Sequence, residues 1–270
     1  MRGSGKAEVF VMLAHPVGHA KSPGIFNEIF EERALDSLMV PLTCRPEDFG
    51  TFWAGLSAAE NVRGVIVSVP YKSAVYHKCA AAHDRAARVQ SANSVRRLPD
   101  GGWYADNFDG VGFIDALKAN RHPIAGRKIL QVGAGGAGAS LAYCLAEAGA
   151  AHIRLNDIDR GRAERLAGLV AEAFPNCRLE VGAADPAGMD MAVNATPIGM
   201  KAEDPLPLDV SRLTPEMTVV DIIMEPAETA LLRVAREIGC PVQPGRPMMD
   251  FQVQAMSEFF GIDRLGRSHD

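Results

Sequence analysis

The chain has 270 residues, of which 47% are apolar and 23% charged, and its formal net charge is −5 at pH 7. These values are ordinary for a globular protein with one large domain or two of ordinary size. The sequence has no basic patch, no acidic tail, no signal-peptide pattern and no apolar run long enough to span a membrane. We therefore expect neither nucleic acid nor a membrane among its partners.

Five cysteines are scattered along the chain without a C-x-x-C pair. An odd, unpatterned set predicts reduced thiols in a cytoplasmic protein rather than a disulfide framework. His15 and His19 could suggest a metal pair, but Pro16 and Gly18 make that stretch a loop. No acidic third ligand has a matching spacing, so the sequence predicts no metal site.

The first part of the chain alternates strand and helix patterns. Strand formers dominate residues 8–14, 38–43 and 65–69. Between them, Ser22 can cap a helix whose first position is Pro23, and a second helix is predicted over 46–58. This order predicts an α/β unit with a mainly parallel sheet.

Lys72 lies just past the end of the third predicted strand. Open α/β sheets bind ligands outside the carboxyl ends of their strands, so this lysine is well placed for function, although most lysines are solvated loop residues. A helix over 80–87 and a hairpin turning through 99–102 are predicted next. The polar residues of Asp106-Asn107-Phe108-Asp109-Gly110 could then simply cap a helix over 111–119.

Residues 128–159 have the pattern of a dinucleotide-binding unit. The predicted strand Lys128–Val132 is followed by glycines in G-x-G-x-x-G spacing, a helix-forming run and a second strand. The glycines allow a tight turn, close approach of backbone N–H groups to a pyrophosphate, and close helix packing. Asp157, roughly 20 positions further on, can accept hydrogen bonds from an adenosine ribose. The cofactor ligands predicted here are Gly133, Ala134, Gly135, Gly136, Ala137, Gly138, Asn156 and Asp157.

Further strands are predicted over 179–181, 191–193 and 218–223, with helices over 160–174 and 229–238. The segment 248–260 is amphipathic enough to pack back on a domain, and Arg121-His122-Pro123 is a plausible hinge before the dinucleotide unit.

Several separate loops together resemble the shikimate and quinate dehydrogenase family, and the likeness spans nearly the whole chain. Gln252 stands where the closing helix of that family offers a glutamine to the substrate. The other matching segments are His19-Ala20-Lys21-Ser22-Pro23 (H-S-x-S-P), Ser68-Val69-Pro70-Tyr71-Lys72 (T-V-P-x-K), Ala92-Asn93-Ser94 (A-x-N-T), Asp106-Asn107-Phe108-Asp109-Gly110 (D-N-T-D-G) and Asn194-Ala195-Thr196-Pro197-Ile198-Gly199-Met200 (N-A-T-x-x-G-M).

The resemblance implies an α/β enzyme with a substrate-binding domain, 1–110 with 245–270, and a Rossmann dinucleotide-binding domain, 111–244. It implies reversible hydride transfer between a nicotinamide and carbon 3 of a cyclohexene or cyclohexane carboxylate. Lys72 would pass the hydroxyl proton, and Asp109 would hold the hydroxyl and the ammonium in register. The implied substrate ligands are Ser22, Ser68, Asn93 and Gln252, and the implied ligands beside the nicotinamide are Asn194, Thr196, Pro197 and Met200.

Five positions depart from the family pattern. Ala20 removes one hydroxyl of the carboxylate-binding loop, Ile66 replaces an asparagine, and Phe108 replaces a threonine. Met224 and Glu225 replace the tyrosine and asparagine of a D-x-x-Y-N-P segment. Losing one neutral hydrogen bond typically costs about 0.5–1.5 kcal/mol. The pattern favours a preferred ring other than shikimate, or poor use of shikimate.

The cofactor prediction is NAD. Family members that use NADP usually carry N-R-T after the second Rossmann strand, whereas this chain has Asn156-Asp157-Ile158. A carboxylate accepts hydrogen bonds from a ribose 2′-hydroxyl but repels a 2′-phosphate. Arg160 and Arg162 could still offer positive charge to that phosphate.

The altered pocket residues also suggest an alternative, a dinucleotide-binding sensor or pseudoenzyme without turnover. The presence of Lys72, Asn93, Asp109 and Gln252 favours the enzyme. Family members include monomers and dimers, and no exposed apolar helix face stands out, so the sequence leaves a homodimer open.

Overall fold

The computed structural model describes residues 3–18 and 20–262, which form two compact units. The first unit contains 3–108 and 253–262, and the second is Asp109–Gln252. The second boundary lies inside the last helix, whereas the sequence predicts it before that helix, at 245. Within the described residues, every helix is too short or too polar to traverse a bilayer.

The first unit is built on a six-stranded mixed sheet with strand order β2-β1-β3-β5-β6-β4. β1 is parallel to β2 and β3, and β4 is parallel to β6, but β5 is antiparallel to both of its neighbours. The expectation of a mainly parallel sheet is confirmed for β1, β2 and β3, from which it was made, and the antiparallel pairs arise at β5, which a short hairpin joins to β6. The strands are β1 (Glu8–Leu13), β2 (Ser37–Leu42), β3 (Val62–Val67), β4 (Ala81–Ala82), β5 (Ser94–Arg97) and β6 (Trp103–Asp106).

Two predicted helix starts in this unit are wrong. The predicted helix over 80–87 begins as strand β4, because Ala80 N–H and His83 N–H donate to carbonyls of neighbouring β6. Lys21 rather than Ser22 is the N-cap of the first helix, and Ser22 is its first helical residue. The helices are α1 (Ser22–Glu32), α2 (Phe49–Ala58), α3 (Lys72–Tyr76) and α4 (Asp84–Val89).

Aromatic side chains fill the core on one face of this sheet. The rings of Trp53 and Trp103 lie 5.5 Å apart, and Phe49 stacks on Tyr71 at 5.3 Å. Tyr71 is 2% exposed, and its hydroxyl donates to the carbonyl of Cys44. Burying each such ring stabilises the fold by about 1.5–3 kcal/mol. Because Tyr71 immediately precedes α3, its packing fixes where that helix begins.

The second unit is a six-stranded sheet in which every described strand pair is parallel, with order β12-β11-β10-β7-β8-β9. The order reverses between β7 and β10, which is where dinucleotides bind in this architecture. The predicted α/β class with a Rossmann-type sheet is confirmed. Its elements are α5 (Asp109–Ala119), β7 (Lys128–Val132), α6 (Gly136–Glu147), β8 (His152–Asn156), α7 (Arg160–Ala173), β9 (Arg178–Val181), β10 (Met191–Asn194), β11 (Thr218–Asp221), α8 (Ala230–Ile238), β12 (Val242–Gln243) and the first part of α9 (Arg246–Phe260).

Candidate active site and dinucleotide-binding residues

In the first unit, Ser68, Lys72 and Asn93 come together at the carboxyl end of β3. Ser68 O accepts from Tyr71 N–H at 3.0 Å, and Lys72 O accepts from Ala92 N–H at 3.0 Å. Asn93 O accepts from Val67 N–H at 2.7 Å, so the Ala92-Asn93 turn lies beside the strand end. Lys72 is the half-buried first residue of α3 rather than a loop residue.

Ser22 begins α1 after the loop that follows β1, and β1 is the parallel neighbour of β3, so the loops after both strands leave the same edge of the sheet. His15 N–H donates to Val69 O at 3.0 Å and ties the two loops together. Ser22 is buried, with 7% of its surface exposed. His19 lies outside the described residues.

Asn93 organises the segment from Asp106 to Phe108. Its Oδ1 accepts from Phe108 N–H at 2.9 Å, and Asn93 N–H donates to Asp106 O at 3.1 Å. Phe108, which stands where the family pattern has threonine, packs edge-on against Phe259 at 5.2 Å. The guanidinium of Arg85 lies over the same ring at 5.0 Å. The residue therefore offers an apolar and cation–π contact instead of a hydroxyl.

The polar residues before α5 hold the segment in place, and the cap interpretation is wrong for Asp106, whose carboxylate pairs with Arg85. Asp106 forms a two-point ion pair with Arg85, at 2.8 and 2.6 Å, and is 3% exposed. Asn107 donates its amide to Ser91 O at 3.1 Å. A buried two-point pair of this kind fixes geometry as well as charge.

In the second unit, Asp109 and Gln252 meet. Asp109 is the first residue of α5 and is 5% exposed, and its Oδ1 accepts from Gln252 Nε2 at 2.6 Å. The helices can come this close because Gly112 has no side chain. A Cβ at Gly112 would lie 2.5 Å from Met248 O on α9.

The glycine-rich turn has room for an anion. Gly133 has φ +106°, and a Cβ on Gly138 would lie 2.2 Å from Gly133 O, so both positions require glycine. A Cβ on Gly135 would meet nothing within 4 Å. Gly135 is the N-cap of α6 and supplies no side-chain cap, so the N–H groups of the first turn can serve a pyrophosphate. These residues fit a dinucleotide.

Asp157 connects the end of β8 to this turn. Its Oδ2 accepts from Ala134 N–H at 2.7 Å, and its Oδ1 accepts from Asp159 N–H at 2.8 Å. The side chain is 7% exposed, and an Arg162 guanidinium nitrogen lies 3.6 Å from Oδ1. Asn156 donates its amide to Gly182 O at 2.8 Å, so it fastens the strand end to the loop after β9.

The loop after β10 is built around the Asn194 side chain, which is fully buried. Its Nδ2 donates to Ile198 O and to Asp221 Oδ2, at 3.0 and 3.1 Å. Its Oδ1 accepts from the N–H and the hydroxyl of Thr196, at 3.1 and 2.7 Å. Asn194 therefore shapes the loop from within, whereas Pro197 and Met200 are exposed.

Asp221 anchors that loop. It is fully buried at the end of β11, and besides Asn194 it accepts from Thr229 Oγ1 at 2.8 Å and Ile223 N–H at 3.0 Å. Burial raises the pKa of this carboxyl, although the three hydrogen bonds act in the opposite direction.

Sequence reasoning assigned no role to three buried polar residues of the second unit, Gln131, Ser140 and Asp221. Gln131 Nε2 donates to Gly133 O at 2.9 Å and Gly138 O at 2.8 Å, which fastens the glycine-rich turn to β7. A glutamine in an apolar strand directly before the turn was the available signal. Asp221 likewise stands at the end of an apolar strand, which is a similar signal of a buried polar role. Ser140 lies on an alanine-rich helix, where a serine gives no such signal.

Comparisons with known proteins agree with this geometry. Residues 12–95 match the family model described as the shikimate dehydrogenase substrate binding domain. A shikimate dehydrogenase (NADP(+)) from Rubrobacter xylanophilus is 37% identical, over 97% of this chain and 94% of its own length.

Two solved structures share the whole architecture. A shikimate 5-dehydrogenase from Listeria monocytogenes in complex with shikimate and NAD is 28% identical, with a TM-score of 0.86 over 97% of this chain and 93% of its own. A 5-ketofructose reductase from a Gluconobacter species is 26% identical, with a TM-score of 0.84 over 99% of this chain and 96% of its own. The relatives at more than 30% identity cover nearly the full chain, and it belongs to the shikimate dehydrogenase family of oxidoreductases.

Proposed function

We propose that this chain is an NAD-dependent dehydrogenase that transfers hydride reversibly at carbon 3 of shikimate and 3-dehydroshikimate, or of a close analogue such as quinate or aminoshikimate. The observation that carries the proposal is the buried Asp109 carboxylate, held by Gln252 at 2.6 Å. Burying a charged group costs free energy unless hydrogen bonds or an opposite charge compensate for it. A buried carboxylate at the start of a helix, in a chain of a dehydrogenase family, is therefore a candidate catalytic group.

In the proposed oxidation, the substrate hydroxyl loses its proton to the Lys72 amine as the carbon loses hydride, and the alcohol becomes a ketone. When bound, the nicotinamide supplies the hydride acceptor. In reduction, the Lys72 ammonium returns the proton to the forming alkoxide as a general acid. Asp109 would orient the hydroxyl and the ammonium, and Asn93 would bind a neighbouring ring hydroxyl. Correct positioning of this kind accounts for a large part of such catalysis.

The preferred ring is proposed to differ from shikimate. Ala20 and Phe108 stand where the family pattern offers hydroxyls, and Phe108 is committed to contacts with Phe259 and Arg85. Ser22 and Ser68 remain to receive the substrate carboxylate and ring. A structural neighbour named 5-ketofructose reductase supports the view that this architecture accepts carbonyl substrates other than 3-dehydroshikimate.

The NAD preference is proposed from Asp157. Its carboxylate stands at the end of β8, oriented by Ala134 N–H and Asp159 N–H, where an adenosine 2′-substituent binds in Rossmann folds. A 2′-phosphate there would meet a negative charge. The Rubrobacter relative is named for NADP(+), whereas the Listeria structure contains NAD. The cofactor therefore varies within the family.

The test measures the absorbance of reduced nicotinamide with NAD or NADP and a panel of shikimate, quinate and amino-substituted analogues. We expect turnover with NAD, and a Lys72→Ala loss of kcat of at least about 100-fold. Lys78→Ala, an exposed lysine just beyond α3, is the matched control. Tight NAD binding without turnover of any ring compound would instead favour a sensor.

The cofactor preference is tested with the Asp157→Asn variant, and Asp159→Asn is the charge-matched control. We expect the NAD to NADP ratio of kcat/KM to fall at least about 10-fold for the first variant, because a charge repulsion is removed. An NADP preference at least equal to NAD in the unaltered enzyme would overturn the NAD assignment and leave the reaction class standing.

A further inference from the structure

The first turn of α5 is pressed against α6. A Cβ on Gly110 would lie 2.4 Å from Ser140 O and 2.5 Å from Cys144 Sγ. Both distances are shorter than any ordinary non-bonded contact, so only glycine permits this approach. The peptide that follows Asp109 is therefore packed directly on the helix that begins at the dinucleotide-binding turn.

The Ser140 hydroxyl makes a specific bond in this contact. It accepts from Gly110 N–H at 2.9 Å, and Ser140 is 2% exposed. The first N–H groups of a helix have no carbonyl partner within that helix, so this donor would otherwise be buried and unpaired. Ser140 thus satisfies the N–H of the residue immediately after Asp109.

Asp109 is consequently held from two helices. Gln252 on α9 donates to its carboxylate at 2.6 Å, and Ser140 on α6 fixes the peptide next to its Cα. Ser140 lies about one helical turn from Gly136, where α6 begins. The same helix end that would receive the pyrophosphate thereby orients the carboxylate.

We propose that Ser140 is a positioning residue for hydride transfer, acting through Gly110 on the orientation of Asp109. The inference rests on the proposed function, because it takes Asp109 to be part of the proton-transfer pair. Ser140 touches neither the substrate nor the cofactor in this scheme. Replacing Ser140 should therefore change kcat rather than cofactor affinity.

The first test compares Ser140→Ala with Ser257→Ala. Ser257 is also a helical serine, 3% exposed, but its hydroxyl donates to Val253 O within α9. We expect Ser140→Ala to lower kcat about 5- to 10-fold, while KM for NAD and the Kd of NADH stay within about two-fold. Ser257→Ala should leave kcat unchanged. Equal effects of the two variants on kcat would overturn the proposal.

A double-mutant cycle with Asp109→Asn separates positioning from general damage. Because Ser140 acts through Asp109, we expect Ser140→Ala to lower kcat less than about two-fold in the Asp109→Asn background. The same loss in both backgrounds would contradict the mechanism. Wild-type turnover by Asp109→Asn alone would overturn the proposed function itself, a result recognisable without any Ser140 variant.

A readout without turnover completes the test. Hydrogen exchange of the Gly110 amide should accelerate at least about 10-fold in Ser140→Ala, because its acceptor is lost, and stay unchanged in Ser257→Ala. Unaltered Gly110 protection in Ser140→Ala would show that the hydroxyl does not hold this peptide and would overturn the proposal.

Discussion

Gln252 donates a 2.6 Å hydrogen bond from its side-chain amide to Oδ1 of Asp109, across the buried contact between α9 and α5. The family resemblance implies that Gln252 binds the substrate, and the structure shows that it also donates to the Asp109 carboxylate. A hydrogen bond to a charged acceptor is worth about 1.5–3 kcal/mol, more than a neutral one. Gln252 therefore has a second proposed task, which is to orient Asp109.

Replacing Gln252 by leucine should lower kcat by about 10- to 100-fold, because the carboxylate loses a charge-assisted donor. The Kd of NADH should change less than about two-fold. Steady-state kinetics and NADH fluorescence titration measure the two quantities. Unchanged kcat would show that the contact does not matter for turnover.

Gln252→Glu has a distinctive pH dependence. At high pH the introduced carboxylate faces Asp109, and two like charges in contact disfavour each other. When the introduced group takes up a proton it becomes a donor again. We expect the kcat of Gln252→Glu relative to wild type to rise as pH falls from about 8 to about 6, in contrast to a flat ratio for Gln252→Leu.

Gln131 fastens the glycine-rich turn with two hydrogen bonds, and its Oε1 is buried without a partner in the described structure. Gln131→Leu should raise the Kd of NADH about 5- to 10-fold, since the turn loses its support. Its free energy of unfolding should change by less than about 1.5 kcal/mol, because volume is kept and an unpaired oxygen is removed.

Gln243→Leu is the matched control for Gln131. Gln243 is 1% exposed on β12, and its Nε2 is also buried without a partner among the described residues. Its Oε1 accepts from Asn120, the residue after α5, and not from the glycine-rich turn. NADH affinity should be unchanged in this variant. Equal weakening by both substitutions would mean that sheet packing, not the turn, sets the affinity.

Asp221 and Asp204 both hold the loop after β10, but their pKa values are shifted in opposite directions. Burial raises the pKa of Asp221, whereas N–H groups of Gly199 and Lys201 lower the pKa of Asp204. The folded state therefore retains the Asp221 proton above the usual pKa, and releases the Asp204 proton below it. The contribution of Asp221 to stability is lost as pH rises above about 4, whereas that of Asp204 is complete above about pH 4 and is lost as pH falls below it.

Urea unfolding of Asp221→Asn and Asp204→Asn at several pH values measures this contrast. The stability advantage of wild type over Asp221→Asn should shrink as pH rises from about 4 to about 7, whereas its advantage over Asp204→Asn should stay constant over that interval and shrink as pH falls from about 4 to about 2. Parallel pH dependence of the two variants would contradict the opposite environments.

The dinucleotide unit could be predicted almost completely because its information is local. A strand, spaced glycines, a helix and an acid follow one another within residues 128–159, and the structure has each element in place. The hydrogen bonds that support the unit could not be predicted from the sequence. Ser140 meets Gly110 thirty residues earlier in the chain, and nothing near either residue indicates the partner.

The errors in the first unit have the same origin. Alanines at 80–82 favour a helix by intrinsic propensity, but pairing with β6 outweighs that preference. Asp106 has the composition of a cap, and its true partner, Arg85, lies 21 residues away. Intrinsic helix propensity contributes little free energy per residue. A single hydrogen bond or ion pair to a residue distant in sequence, worth about 1–2 kcal/mol, therefore decides the structure at such positions.

His152 gives a last prediction that is independent of catalysis. It begins β8, is 8% exposed, and its Nε2 lies 3.4 Å from Glu180 Oε2. Burial lowers its pKa, with Arg178 and Arg154 acting in the same direction and Glu180 opposing them. The unfolded chain therefore binds a proton at His152 more readily than the folded protein does. The stability that His152 contributes is present above about pH 6.5 and is lost as pH falls below it.

Thermal unfolding of wild type and His152→Gln at about pH 8 and about pH 5.5 tests this sign. The Tm of wild type should fall more than that of His152→Gln over this interval, because glutamine does not titrate. His77→Gln, an exposed histidine after α3, is the control and should follow wild type. A His152→Gln variant that loses as much Tm as wild type would show that other groups, and not the buried imidazole, set the acid sensitivity of this sheet.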